Sequence, residues 1–235
     1  ELDNNYIIIN NKKYEIINDV IILDPNSSDL IKQKTVSSFG DEWIAFNKIH
    51  KDHHKEFEKY FDVIDIKMLE DSIIADFGCG MGRWSKILLK KIKPKYILMF
   101  DYSAAIFEAR DNLIDHENAI FIKGDIEKIN FQNNIFDFSF CLGVLHHLPS
   151  GADFALSKLS YCSKSLLLYL YYDFENRKPL FILIFKVSNM VRKLLSTINN
   201  PKLKNTLAYF ITIFAYYPFI ILNKLLRILK INYIK

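Results

Sequence analysis

The sequence predicts an α/β fold, a parallel sheet with helices on both faces, from three observations. Short apolar runs alternate with helical stretches between about residues 71 and 175, the connections between them are short, and a glycine-rich turn directly follows the first run. Strands buried on both faces read as near-continuous apolar runs, which is how these segments read.

Taken in order, Ser72 to Phe77 reads as the first strand of this zone and Met81 to Lys91 as its helix. Tyr96 to Phe100 reads as the second strand, followed by a helix from Ser103 to Leu113. Ala119 to Lys123 and Phe136 to Leu142 read as the third and fourth, and Ser165 to Tyr171 as the fifth, after a helix from Asp153 to Cys162. The order β-α-β-α-β-β-α-β is that of a Rossmann-like sheet.

Two further zones flank it. Residues 1–70 begin with short β-like runs (Tyr6 to Ile9, Tyr14 to Ile17, Val20 to Leu23) and pass into helical text. There Trp43, Phe46, Phe57, Tyr60 and Phe61 recur at spacings that suit one helical face each. This zone reads as an extension contributing to the cover of a cofactor or substrate, residues 71–177 as the binding domain, and residues 178–235 as a basic, apolar, helical region.

Half of the residues are apolar in a chain of 235, enough for one sizeable core. Cys79, Cys141 and Cys162 are too few and too scattered for a disulfide framework, and no Cys-x-x-Cys pair offers a zinc site, so no metal and a reducing, cytoplasmic compartment are expected. Glu1 to Tyr6 are polar and acidic, so no signal peptide and no secretion are expected.

The formal charge of +4 hides an asymmetry. From Phe181 to Lys235 there is no Asp or Glu, yet nine Lys and Arg residues stand there; subtracting nine from +4 leaves the rest of the chain at −5. Such a tail suits anionic lipid or an anionic substrate. Nineteen uncharged residues, Asn205 to Asn223, are long enough to cross a bilayer. Pro218 and the polar Asn205, Thr206 and Thr212 weaken that reading, whereas basic flanks with Tyr209, Tyr216 and Tyr217 suit an interface. A lid over the acceptor, an interfacial helix at the inner face of a membrane, and a span are three competing readings of residues 179–235.

The stretch Asp76-Phe77-Gly78-Cys79-Gly80-Met81-Gly82-Arg83 ends a strand and opens a helix. Glycine there lets the backbone approach a ligand that any Cβ would strike, and the helix start offers unpaired N–H groups to a carboxylate. The spacing is G-x-G-x-G; the dinucleotide fingerprint requires a third glycine where Arg83 stands, which counts against NAD or FAD. Asp101, at the end of the second strand, is placed to accept hydrogen bonds from both hydroxyls of an adenosine ribose, or else to cap the helix beginning near Ser103.

These residues resemble the class I methyltransferases, and especially the small-molecule branch that includes the ubiquinone and menaquinone methyltransferases. Asp76 to Gly82 is similar to that family's first motif, which implies that Gly78 and Gly80 line the methionine moiety of S-adenosylmethionine and that Asp76 borders it. Asp101 matches the acidic residue that binds ribose. Gly124-Asp125-Ile126 matches the third-strand motif, in which the Asp side chain and the following N–H hold adenine. Phe136-Asp137 and Cys141 to Pro149 look like the fourth motif, whose strand end lies beside the methyl donor.

The resemblance therefore implies a cofactor site of Asp76, Gly78, Cys79, Gly80, Asp101, Tyr102, Asp125, Ile126, Leu142 and Trp43, with S-adenosylhomocysteine as product. Trp43 and Phe46 are candidates for cation–π contact with the sulfonium.

Lys34-Thr35 and Phe39 to Phe46 also resemble the F-G-x-x-W-x-x-F entry segment of a methyltransferase group often associated with sugar and surface-glycan pathways. In many of those relatives a cysteine zinc ribbon precedes that segment; Asn11 to Asp24 has no cysteine. The family's sheet normally ends in a hairpin of a sixth and seventh strand, for which no candidate follows Tyr172.

His146 and His147 follow the fourth strand where an acceptor enters, and histidine titrates near neutral pH. Either is a candidate general base for O-methylation; either would equally cap or orient the loop. No Asn-Pro-Pro-Tyr motif and no cysteine in a Pro-Cys context is present, so nucleic acid is not an expected partner. The expected substrate is a small-molecule, sugar or lipid-linked acceptor. A non-catalytic cofactor-binding or membrane-docked interaction protein of the same fold is the alternative.

Overall fold

The computed structural model describes residues 2–3, 5–24, 40, 43, 48–170, 179–198 and 200–228. It divides into two compact units, residues 1–171 and 172–235.

The first unit is built on a sheet whose nine strands among the described residues are β1 (Leu2–Asp3), β2 (Tyr6–Ile9), β3 (Lys12–Ile17), β4 (Val20–Ile22), β5 (Ile73–Phe77), β6 (Tyr96–Asp101), β7 (Ala119–Lys123), β8 (Phe138–Leu142) and β9 (Leu166–Tyr169). Their spatial order is β1-β2-β3-β4-β7-β6-β5-β8-β9. All pairings from β4 to β9 are parallel, so the expected parallel sheet is present. Among the described residues no strand follows β9.

The alternation of side chains builds two cores. Ile74, Ile97 and Met99 face one side with Phe57 and Phe61 of α1 (Lys51–Phe61), Ile87 and Leu88 of α2 (Arg83–Leu89), and Ile106 and Leu113 on and just after α3 (Ala105–Asn112). Ala75, Phe77, Leu98 and Phe100 face the other with Ala155 and Leu159 of α4 (Ala152–Cys162). Period-two alternation on buried parallel strands thus places helices on both faces.

The N-terminal strands join this same sheet. Two tight turns, at Asn10-Asn11 and Asn18-Asp19, have positive φ at both residues (50° and 61°, 47° and 60°). That is the mirror-image turn that matches strand twist and that Asn and Asp tolerate. The meander then adds β4 alongside β7, pairing Val20 with Phe121. Ion pairs Arg110–Asp19 and Lys128–Asp24 tie it to the rest of the unit.

Strand order reverses between β5 and β8, the point where open α/β sheets form a crevice at their carboxyl ends. Gly78, Asp101, Gly124 and Gly143 directly end or follow the strands that meet there.

The second unit contains α5 (Pro179–Ser196), α6 (Pro201–Ile211), a π-helical turn (Thr212–Tyr216) and α7 (Tyr217–Ile228). Asn200 caps α6, accepting from the N–H groups of Lys202 and Leu203, with Pro201 at the first helical position. No helix among the described residues is long and apolar enough to cross a membrane, so the spanning reading of Asn205 to Asn223 finds no support.

Candidate functional site

The turn after β5 is fixed by its glycines. Gly78, Gly80 and Gly82 have φ of +76°, +55° and +75°, a region that residues with a Cβ rarely occupy. A Cβ on Gly78 would stand 2.3 Å from Cγ2 of Val144, so the turn and the loop after β8 pack without room for a side chain. Gly82 ends the turn in the left-handed conformation and α2 begins at Arg83.

Asp101 organises the opposite wall. Its Oδ2 accepts from the Gly80 N–H at 2.7 Å, and its Oδ1 accepts from both the N–H and the hydroxyl of Ser103, each at 2.7 Å. Burial pushes its carboxyl above the usual carboxylate range, partly offset by the Ser103 donors. The Tyr102 backbone also stabilises the ionised form, so donors from Gly80, Tyr102 and Ser103 together fix this carboxylate at the cavity wall. The Ser103 hydroxyl also accepts from the Ala105 N–H, so Asp101 orients a residue that holds the first N–H of α3.

Asp76 lies deeper, 2% exposed, accepting from the Ser85 hydroxyl at 2.7 Å. Burial, with the nearby Asp101 carboxylate adding to it, pushes its pKa up to about 8. Cys79 is buried beside it, its thiol pushed well up by burial and by Asp76 and Asp101.

A cavity of about 300 Å³ opens at the switch point. Of the residues singled out from sequence, Gly78, Asp101, Tyr102, Asp125, Ile126, Leu142, Trp43 and His147 line it. Asp76, Cys79, Gly80 and His146 do not; Asp76 lies in β5 and Cys79 and Gly80 in the turn behind the wall, with Gly80 reaching the site through its bond to Asp101. Asp125 is 4% exposed and accepts from the Glu127 N–H at 3.0 Å, so it shapes its own turn while bordering the cavity. Phe46 and the rest of the F-G-x-x-W-x-x-F segment, apart from Gly40 and Trp43, lie outside the described residues, as do Lys34 and Thr35.

One wall was not read as such from sequence. Arg83 is held between two indoles, its guanidinium carbon 4.5 Å from the Trp43 ring centre and 4.3 Å from that of Trp84. Tyr60 meets Trp84 and Tyr169 edge to face, with ring centres 5.4 and 4.7 Å apart. All five residues line the cavity. Trp84 and Arg83 adjoin the glycine turn and Tyr60 belongs to the N-terminal aromatic stripe, the signals that pointed near this wall.

The two histidines occupy a 3₁₀ turn, Leu145–His147, with ring centres 4.0 Å apart. Burial holds both imidazoles below the ordinary histidine value, and His146 also feels the charge of His147. Both are therefore neutral at pH 7.

Residues 74–164 match a family model described as a methyltransferase domain. Over that stretch, the sheet and glycine turn described above, the chain is similar to methyltransferase domains. Among curated relatives, the domain is similar to a tRNA U34 carboxymethyltransferase of Nautilia profundicola, 30% identical over 163 residues, which cover 63% of this chain and 51% of the relative. A malonyl-[acyl-carrier protein] O-methyltransferase of Bacteroides thetaiotaomicron is 31% identical over 58 residues, 25% of this chain and 22% of the relative. A crystal structure of a SAM-dependent methyltransferase from Aquifex aeolicus is similar with a TM-score of 0.40 and 22% identity, over 50% of this chain and 69% of that one. The chain thus spans about half the length, or less, of these curated relatives.

The site's own chemistry fits the cofactor of such a domain. Asp101 presents its carboxylate at the cavity wall, and Gly143, also in the wall with φ +77°, has nothing within 4 Å of where a Cβ would stand. A carboxylate for a ribose and an open backbone approach for the methionyl arm are what S-adenosylmethionine requires.

Proposed function

We propose that this chain transfers a methyl group from S-adenosylmethionine to a small or lipid- or glycan-linked acceptor, with oxygen as the acceptor atom. The observation that carries the reading is Asp101, half-buried, tied to the glycine turn at Gly80, and facing a cavity at the sheet's switch point.

In this reading Asp101 holds the ribose hydroxyls, Asp125 and Ile126 border the adenine, and Gly78 and Gly143 admit the methionyl arm. Bound cofactor supplies an electrophilic methyl group on a sulfonium. Transfer is an in-line displacement, so the protein's contribution is alignment, exclusion of water and removal of the acceptor's proton. The aromatic wall of Tyr60, Trp84 and Tyr169 excludes water and seats an apolar or planar acceptor. Arg83, held rigid between Trp43 and Trp84, offers a cation for a carboxylate entering the cavity. His147, at the cavity and neutral at pH 7, takes the acceptor proton on a ring nitrogen. His146, outside the lining, orients it.

The names of the relatives suggest other acceptors, a tRNA or an acyl-carrier-protein ester. The test is transfer of label from methyl-labelled S-adenosylmethionine to a panel of phenols, sugars, lipid-linked sugars, bulk tRNA and acyl-carrier-protein esters. Labelling of a small or lipid-linked hydroxyl that is lost with His147→Gln supports the reading. Labelling of tRNA or an acyl-carrier-protein ester alone reassigns the acceptor, and cofactor binding without transfer to any of them favours the non-catalytic alternative.

A further inference from the structure

We propose that the helical region 179–228 docks on a membrane surface rich in anionic lipid, lying in the headgroup layer. This goes beyond the methyl-transfer reading and does not depend on it.

In α5 the residues Leu183, Val187, Met190 and Leu194 are 59, 48, 58 and 62% exposed. Their spacing of four, three and four residues places them in one stripe. By helical geometry Lys186 and Lys193 lie roughly 70–90° from the axis of that stripe, along one of its edges. From the π-helical turn into α7 the pattern recurs: Phe214, Tyr217, Ile221 and Leu225 are 72, 58, 53 and 51% exposed. Phe214 also stacks on exposed Phe210, ring centres 6.0 Å apart. Lys202 and Lys204 on α6 and Lys224 on α7 are exposed.

Exposed apolar stripes of this extent mark an interaction surface. Charge identifies the partner. No Asp or Glu lies between Phe181 and Lys235, while nine Lys and Arg do, so the surface complements an anionic layer. Two copies of this region would bring like charges face to face, which disfavours self-association. Nucleic acid accounts for the lysines and, by base stacking, for Phe210, Phe214 and Tyr217, but not for the aliphatic stripe of Leu183, Val187, Met190 and Leu194, which has no partner on a phosphate backbone. Because no helix among the described residues is long and apolar enough to cross, the proposed surface lies on the bilayer rather than through it.

The test is flotation of the full chain with vesicles of phosphatidylcholine alone and of phosphatidylcholine with phosphatidylglycerol, at low and high salt. The wild type is expected to float with the anionic vesicles, less at high salt. A variant carrying Lys186→Glu, Lys202→Glu, Lys204→Glu and Lys224→Glu is expected to lose at least about tenfold in partitioning. A second variant, Leu183→Ser with Phe214→Ser and Ile221→Ser, is expected to weaken it at both salt concentrations. Both variants keep the wild type's helical circular dichroism and its affinity for S-adenosylmethionine, which separates this test from that of the catalytic reading. The proposal is overturned by a wild type that does not float, by undiminished flotation of the four-lysine variant, or by concentration-dependent self-association abolished by Phe214→Ser. Bulk tRNA binding lost in the lysine variant, without vesicle binding, would assign the surface to nucleic acid and also overturn it.

Discussion

The backbone N–H of Gly80 donates to Oδ2 of Asp101 at 2.7 Å, joining the turn after β5 to the end of β6. The acid expected at a ribose is thus also the acid that sets the glycine turn. Its second oxygen, bonded to Ser103, extends the same linkage to the start of α3. One carboxylate therefore positions three segments around the cavity, and its removal is expected to affect the cofactor site as a whole rather than one hydrogen bond.

The glycine turn yields a prediction about stability. Gly78→Ala combines φ of +76° with a Cβ 2.3 Å from Val144 Cγ2, whereas Gly143→Ala has φ of +77° and nothing within 4 Å. The second substitution carries only the backbone cost, about 1–2 kcal/mol. The first adds an overpacking cost, for a total of roughly 3 kcal/mol or more. Chemical denaturation of the two variants checks this; equal losses would contradict the packing of the turn against Val144.

Much of this was legible in the sequence, and the reason is local. β5 to β9 are apolar runs of four to six residues, and a strand buried on both faces has no polar side to confuse the pattern. The pairing of β4 with β7 was not legible, because Val20 and Phe121 are distant in sequence and nothing in either run specifies its neighbour. The site shows the same division. Gly78, Asp101 and Asp125 stand at strand ends that the pattern locates, while the stacking of Arg83 between Trp43 and Trp84 depends on packing of separate segments. From sequence both His146 and His147 stand at the acceptor's entrance with His146 the first choice of base, whereas the 3₁₀ turn puts His147 and not His146 in the cavity lining.

Asp76 gives a pH dependence of stability. Its carboxyl is raised from 3.8 to about 8 in the fold, so the native state holds a proton that the unfolded chain releases. A raised pKa contributes stability that is fully present below the unfolded value and is lost as pH rises through the folded one. The cofactor-free protein should therefore lose this contribution between about pH 4 and pH 8, and Asp76→Asn, permanently neutral, should flatten that part of the profile. Melting temperature against pH for the two proteins measures it; parallel profiles would show that Asp76 does not carry the proton.

The histidine pair gives a pH dependence of activity. A general base works unprotonated, and burial lowers the His147 pKa below its ordinary 6.5. Activity is expected to be full at pH 7 and to fall only on the acid side of that ordinary value. His147→Gln should reduce kcat by about a hundredfold or more and remove the acid limb, whereas His146→Gln should cost less than about tenfold and keep it. Profiles of kcat against pH decide between them; an acid limb that follows His146 instead would reverse the assignment.

The most direct test of the central claim is calorimetric titration of the protein with S-adenosylmethionine and S-adenosylhomocysteine, comparing the wild type with Asp101→Ala. The account predicts binding near micromolar, about 8 kcal/mol, and a loss of roughly a hundredfold in the variant while its circular dichroism remains that of a folded protein. A folded wild type that binds neither compound, or a folded variant that binds as tightly as the wild type, would contradict it.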